Sequence, residues 1–550
     1  MALALLAGCM HVPPRTVDAD EAQVPERWHA PLTVEPAASV AVPKEAASAA
    51  STPAKGAQAP GLDALYDWWG RWNDPALLTL IGAAEEASPT LATAAARIAQ
   101  ARAAVVGAQA ALAPSVDAQA SVSRGTYNQL PDPSLLMTTK QLGGQLQWEL
   151  DLFGRLRQAR SAADARLQGA QAQWHDARLT LAADTARQYF ALLACQDQRD
   201  IALADARSRT DTERLTRHLA GAGFTAAANL ALAEAGTAQA EAQQQEVATQ
   251  CAAALKNLSA LTALDASRLQ ERLGSARLGT APVPDLTLVA VDRVPADVLA
   301  HRPDVYAAAQ AVAAASGDVG AAEAARYPSL GLSGSIARMQ VGLGGYGQAS
   351  GSTWSFGPLA LDLPLFDGGR RRAQAAAART QYEAAVSQYR ATVRDAVREV
   401  ETALDALAGA RARSQHMDRA VAGFRRQFEA AQARYRAGMG SLLDLEQARH
   451  DLLAAQTAQT RLRQETRDDA VALYRALGGG WDARVLPDTQ PDRTLVAEGE
   501  ARRLLAAQRR AATVSAPART AALPGSTAAA PRLAASATGS ASASLTPSVP

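Results

Sequence analysis

The chain has 550 residues, of which 48% are hydrophobic but only 5% aromatic. Its apolar content is therefore mostly alanine, leucine and valine, which suits long close-packed helices better than an enzyme core built on large rings. With 55 basic against 54 acidic residues the net charge is +1, so there is no electrostatic reason to expect nucleic acid.

No run of about 18 apolar residues suggests a membrane-spanning helix. Residues 1–9 end in Leu6-Ala7-Gly8-Cys9, a short apolar run that looks like a bacterial lipobox, in which cleavage leaves a lipidated cysteine. The alternative is a chance Ala/Leu-rich start. No Lys or Arg precedes the run, so a signal n-region is missing, and the expectation is a start codon further upstream. Residues 10–61 are rich in Pro and Ala without periodicity and read as a tether. Order begins around Tyr66-Asp67-Trp68-Trp69. A helix is predicted from about Pro75 to Leu112, broken near Ser88-Pro89 with Ser88 as a cap. At the far end the pattern stops, and 479–550 reads as a disordered Ala/Ser/Pro tail.

The length would allow three or four domains, but the chain repeats itself. Ala113 to Arg124 matches Tyr327 to Arg338 at a shift of 214. Leu150-Asp151-Leu152-Phe153-Gly154-Arg155 echoes Leu363-Pro364-Leu365-Phe366 with Gly369-Arg370, and Ala220-Gly221-Ala222-Gly223 echoes Ala437-Gly438-Met439-Gly440. The expectation is a duplicated unit, 62–267 and 303–478, joined by a connection over 268–302. Each unit reads as strand, strand, long helix, turn, long helix. Strands are predicted at about 114–128 and 140–153, then 327–341 and 351–366, and helical hairpins at 154–264 and 370–477.

The strand assignment rests on alternation with a period of two. Val116, Ala118, Ala120 and Val122 alternate with polar residues, as do Leu142, Leu146, Trp148, Leu150 and Leu152. In the second unit Leu330, Leu332 and Ile336 keep one parity. Trp354 and Phe356 then change to the parity of Leu359, Leu361, Leu363 and Leu365, which predicts a bulge near Pro358. Aromatics near strand ends (Tyr127, Trp148, Phe153, Tyr346, Trp354, Phe366) fit outer-membrane barrel strands. A half-buried sheet in a soluble domain is the alternative. The helices show heptad-like seams, for example Tyr382, Val386, Tyr389, Val393, Val397, Val400, Leu404 and Leu407. A helix from about Arg155 to Leu219 would run on the order of 95 Å at ~1.5 Å per residue.

Cys195 and Cys251 lie equally far from residue 223, inside the Gly221-Ala222-Gly223 turn. Antiparallel helices would bring them side by side, which predicts a disulfide; two buried free thiols are the alternative. Four strands cannot close a barrel in lipid, where open edges are not viable. A lipid-facing sheet must therefore pool strands from several chains, with the helices continuing the barrel as a tube.

These residues resemble the TolC/OprM-like outer-membrane efflux proteins, in the lipoprotein branch that includes NodT. The resemblance spans roughly 62–478. It is carried by Trp68-Trp69 with Asp74-Pro75-Ala76-Leu77, Arg97, Pro114-Ser115, Leu150 to Arg155, Arg302-Pro303-Asp304-Val305, Tyr327-Pro328-Ser329-Leu330 and Leu365-Phe366-Asp367-Gly368-Gly369-Arg370. It implies a mainly α chain with a membrane β-barrel: a homotrimer with a 12-stranded barrel and a 12-helix periplasmic tunnel. It further implies a lipid-anchored outer-membrane protein, with Cys9 as the lipidated residue. Such a protein is a passive duct served by a periplasmic adaptor and an inner-membrane RND or similar pump. Hairpin tips at Gly221, Gly223, Gly438 and Gly440 would form the docking and gating end.

In the segment Ser441 to Ala448, Asp444 matches a pore-lining aspartate of the family, with Leu443 beside it. Three copies of Asp444 would form a carboxylate ring. Gln447 falls where a second family aspartate often sits, which implies a weaker ring, and Tyr435 matches a tip tyrosine that links neighbouring hairpins. The first unit offers only Ala227 and Asn229 in the analogous region. Its His218 matches Tyr435 and is expected to pack. An ordinary solvated helix position is the alternative for Asp444.

Catalytic signals do not accumulate. Seven histidines are scattered without HExxH spacing, and there is no GxSxG elbow or Walker A motif. Gly342 to Gly347 fits GxGxxG but lies between two strands, where a hairpin loop is expected rather than a nucleotide site. No cofactor, metal or enzymatic activity is expected. Outside drug efflux, the readings left open are a duct for type I protein secretion and a soluble periplasmic coiled-coil scaffold.

Overall fold

The computed structural model describes residues 68–126, 136–280, 298–344 and 347–481. Cys9, the 10–61 tether, most of the 479–550 tail, residues 281–297 of the connection, Tyr127 and Tyr346 lie outside the described residues.

Helices dominate. Trp68–Arg71 (α1), Pro75–Ala87 (α2) and Pro89–Ala110 (α3) open the chain. Asp74 starts α2 by accepting from the Ala76 and Leu77 amides at 3.0 and 3.3 Å. Its second oxygen accepts from the Tyr189 hydroxyl at 2.8 Å, so one carboxylate both caps a helix and ties it to the long helix behind. Ser88 Oγ caps α3 through the Leu91 amide, and Pro89 begins that helix, where the missing N–H costs nothing.

Strands Ser115–Thr126 (β1) and Leu136–Leu150 (β2) lead into Arg155–Gly221 (α4), Ala227–Thr262 (α5) and Ala266–Leu273 (α6). The second half runs Pro303–Ala324 (α7), Ser329–Leu343 (β3), Gly347–Asp362 (β4), Arg370–Arg436 (α8) and Leu442–Ala476 (α9). α4 and α8 have 67 residues each.

Both joints from sheet to helix use an aspartate that accepts backbone amides at the helix start and a left-handed glycine just before it. Asp151 accepts from the Leu156 and Arg157 amides at 3.1 and 2.9 Å, and Gly154 turns the chain at φ 80°. Asp367 accepts from the Gly369 and Arg371 amides at 3.0 and 3.2 Å, with Gly369 at φ 88°. These amide bonds hold the Asp367 carboxyl below its ordinary pKa. The joints explain where the strands stop. β2 does not reach 153 and β4 does not reach 366, because Asp151 and Asp367 draw the chain into helix caps and Pro364 has no N–H to pair. β2 instead begins earlier, at Leu136, and Leu152, Leu363 and Leu365 fall outside the strands.

The sheet is antiparallel in the order β1-β2-β3-β4. Its register places Val116 opposite Leu146, Leu146 opposite Gly334 and Gly334 opposite Phe356. One face therefore carries Val116, Val122, Leu142, Ile336, Trp354, Phe356, Leu359 and Leu361, all exposed in the single chain. The other carries Asp117, Gln119, Gln145, Ser335 and Thr353. The change of parity sits where Leu332 pairs with Leu359 and Gly334 with Phe356, across a cis Gly357-Pro358 peptide.

The largest core lies around the middle of α4. Trp68, Trp72, Phe190, Leu193, Leu404 and Tyr474 pack there, with the Trp68 ring stacked on Tyr474 at 5.2 Å. Arg302 closes its edge. It is 5% exposed, grips Asp304 and Glu399, and donates to the Ala476 carbonyl at 2.8 Å, capping the end of α9. Cys195 on α4 and Cys251 on α5 are joined by a disulfide with Cα atoms 5.5 Å apart, beside Val247.

Candidate functional site

The two hairpin tips have the same backbone. In the first, the Phe224 amide donates to the Leu219 carbonyl at 2.8 Å and Gly223 donates to Ala220 at 3.0 Å. In the second, Met439 donates to Arg434 at 2.9 Å and Gly438 donates to Tyr435 at 3.0 Å. Both are Schellman closures, which need a left-handed residue, and Gly223 (φ 80°) and Gly438 (φ 73°) supply it. The other two tip glycines differ. Gly221 ends α4 in open space, whereas a Cβ on Gly440 would come within 3.2 Å of the Arg434 side chain and the Tyr435 amide nitrogen. Phe224 and Met439 stand out at the apices, 81% and 77% exposed.

α9 starts immediately after the second tip, with Ser441 Oγ accepting from the Asp444 amide at 3.1 Å. Leu442, Leu445 and Ala448 turn inward onto Tyr435, Ala431 and Ala233. Leu443, Asp444 and Gln447 are consequently exposed together, on the opposite side of the helix. Gln447 donates to Asp451 at 2.9 Å. The first-turn position also favours the Asp444 carboxylate through the helix dipole.

Tyr435 is buried, and its hydroxyl lies 2.6 Å from Thr216 Oγ1 on α4. The Thr216 hydroxyl already donates to the Thr212 carbonyl at 2.8 Å, so Tyr435 is the donor. This bond joins the two hairpins of one chain. In the single chain His218 does not take the buried place that Tyr435 has in the second hairpin. It is exposed, because Thr216, two residues earlier, faces the second hairpin.

Nothing in the sequence reading singled out the residues that hold the hairpins together two turns further from the tip. Arg449 on α9 is 2% exposed. It donates to Thr212 Oγ1 at 2.8 Å and Ser208 Oγ at 3.2 Å, pairs with Glu446, lies 3.8 Å from Asp205 and sits over the Phe428 ring. Arg209 on α4 completes the cluster, bonding Asp205 at 2.9 Å and Glu446 at 2.7 Å. Burial pulls the Arg449 guanidinium down from its usual pKa, with Glu446 and Asp205 opposing and Arg209 assisting. Two guanidinium groups and two carboxylates thus neutralise each other between α4 and α9. Among the described residues no group of His, Cys, Asp and Glu could hold a metal.

The model of the family described as outer membrane efflux protein matches residues 80–264 and again 294–479. The chain belongs to that family. It is 32% identical over 425 residues to the pyoverdine export outer membrane protein OpmQ of Pseudomonas putida, covering 76% of this chain and 88% of that one. Nodulation protein T of Rhizobium leguminosarum bv. viciae is 29% identical over 78% of this chain and 86% of its own length. Among solved structures, the outer-membrane channel OprN superposes with a TM-score of 0.66 at 28% identity, covering 75% of this chain and 92% of that one. The outer membrane protein VceC of Vibrio cholerae gives 0.65 at 27%, with 76% and 99% covered. The protein is thus an outer-membrane component of efflux systems, with the fold of these channels, and its relatives are channel proteins rather than enzymes.

Proposed function

We propose that this chain is one third of a homotrimeric duct, the outer-membrane part of a tripartite efflux system. It passively passes drugs or other small molecules delivered by an inner-membrane pump of the RND type through a periplasmic adaptor. The observation that carries this is the sheet. It has four strands, one apolar face exposed to solvent in the single chain, and β1 and β4 at its edges. Such a sheet is unstable in water and unclosed in lipid. Pairing β4 of each chain with β1 of the next closes 12 strands around the polar face. The matching element order of the two halves supports a duplicated unit, with the long helices forming the tunnel beneath.

In this reading Leu443, Asp444 and Gln447 face the axis at the closed end, and Asp444 forms the narrow carboxylate ring. Tyr435 holds the second hairpin against the first, and the apical Phe224 and Met439 meet the adaptor. Cys9 carries the lipid that anchors the chain. The test is a pair of measurements on the full-length protein: the mass of the membrane-extracted complex, and the susceptibility of a deletion strain to small toxic compounds. Trimers and a sensitised strain are expected. A monomer, or an unchanged susceptibility profile despite expression in the parent, would overturn the proposal.

A further inference from the structure

The sheet separates its charges completely by face. Its three acidic residues, Asp117, Glu149 and Asp362, share the polar side with Gln119, Gln145 and Ser329. Its three basic residues, Arg124, Lys140 and Arg338, all stand on the apolar side. Lys140 lies opposite Val122 and Gln340, Arg338 opposite Leu142 and Ser352, and Arg124 opposite Thr138. They step diagonally across β3, β2 and β1, one rung at a time, each exposed. Neighbours on such a diagonal are roughly 5–8 Å apart at Cβ, close enough to share one anion.

Their height is as specific as their face. The apolar side runs from Leu150, Leu330 and Leu361 near the helices up to Leu142, Ile336 and Trp354. On β2 that is eight steps from residue to residue, roughly 27 Å along the strand and about 20 Å along the normal at the usual tilt. Arg338 stands on the rung of Leu142, and Lys140 and Arg124 on the next two, at the end away from the helices. In the same place a cavity of about 290 Å³ opens on the outward face, lined by Lys140 and Arg338 together with the apolar Val122 and Leu142.

We propose that Arg124, Lys140 and Arg338 form a binding site for the phosphate groups of a phosphorylated glycolipid in the outer leaflet of the outer membrane. The inference rests on the barrel reading above, which turns this face to lipid and the hairpin end outward. Guanidinium groups grip phosphate oxygens in pairs and the ammonium group adds a point charge, while Val122 and Leu142 receive the upper acyl chain. The carboxylates of the four strands, confined to the opposite face, do not compete. Each trimer carries three such sites.

The test uses the full-length trimer in detergent, with lipid binding read by native mass spectrometry. The probes are diphosphoryl lipid A, its dephosphorylated form and inorganic phosphate. Loss of one basic side chain is expected to weaken binding about fivefold, so K140Q/R338Q should weaken diphosphoryl lipid A by about 25-fold. R338K should retain most of the affinity and D117N, on the other face, all of it. Dephosphorylated lipid should bind the wild type as weakly as diphosphoryl lipid binds the double variant. A change under threefold in a trimeric K140Q/R338Q overturns this site alone. So does inorganic phosphate that binds as well as the lipid, which would mark a free-anion site. A wild-type chain that is monomeric and absent from the outer-membrane fraction overturns the barrel reading as well.

Discussion

Replacing Arg449 with methionine tests whether the buried ion cluster fastens the two hairpins. The thioether keeps much of the stem volume over Phe428 and removes only the charge and its donors. Two bonds to charged or polar partners vanish at close range, to Glu446 and to Thr212 Oγ1 at 2.8 Å. Hydrogen bonds to charged groups contribute about 1.5–3 kcal/mol each, and breaking one side of a buried pair costs about 3–5 kcal/mol. Arg209 still faces both carboxylates, at 2.9 and 2.7 Å, so the lower end applies, about 3 kcal/mol. That corresponds to roughly 150-fold more frequent local opening. Hydrogen exchange of the amides around 205–216 and 442–449 in the assembled protein reads it directly. R449M should accelerate exchange there on the order of 100-fold and leave the core around Trp72 and Phe190 unchanged. R449M/E446Q should recover part of the loss, because no uncompensated carboxylate remains. Exchange within threefold of wild type at the hairpins, or equal acceleration in the double variant, would refute the reasoning.

The Cys195–Cys251 disulfide closes a separation of 56 residues, for which loop entropy gives about 4 kcal/mol, so C195S/C251S should melt clearly below wild type, and unfolding without reductant should release neither thiol to an alkylating probe. Burial, and secondarily Arg178, lowers the pKa of His175 from 6.5 to about 4. The unfolded chain therefore takes up a proton that the folded one refuses as pH falls from 6.5 towards 4, costing up to about 3 kcal/mol; thermal melts should show this loss flattened in H175Q. Burial raises Asp468 to about 6, which has the opposite sign: stability falls as pH rises from 3.8 through 6, and D468N should melt higher than wild type at pH 7.5. Neutralising Asp444 should reduce cation over anion permeability in reconstituted channels by about fivefold, from about 1 kcal/mol per charge at close range in water; an unchanged ratio would return Asp444 to an ordinary surface role.

How far the sequence can be read depends on the range of the interaction concerned. Alternation along Val116–Val122 and Leu142–Leu150 marks the two faces of the sheet, since period two is a local property of extended chain. The change of parity at Pro358 is legible for the same reason. The capping aspartates, Asp74, Asp151 and Asp367, act within a few residues of themselves. Strand ends were less legible, because alternation continues through Leu152 and Leu365 after the capping carboxylates have taken the chain out of the sheet.

The buried cluster was not legible at all. Glu446 and Arg449 are an i,i+3 pair, but so are Asp211 with Arg214 and Asp395 with Arg398, which are largely exposed. What separates them is the rotation of α9 against α4, which brings Asp205, Ser208, Arg209 and Thr212 to face one pair and leaves the others in water. The rotation of α8 against α4 likewise chose Thr216 over His218 as the partner of Tyr435.

The sequence by itself determined the periods, the caps and the glycine turns, and therefore the kind of element at each place and the face it would bury, because each depends on contacts between near neighbours in the chain. Only the tertiary structure decided which charges meet across the hairpins, and that all three cations of the sheet stand on neighbouring rungs at one corner of its apolar face. Those facts depend on register and helix rotation, which are settled by packing over hundreds of residues.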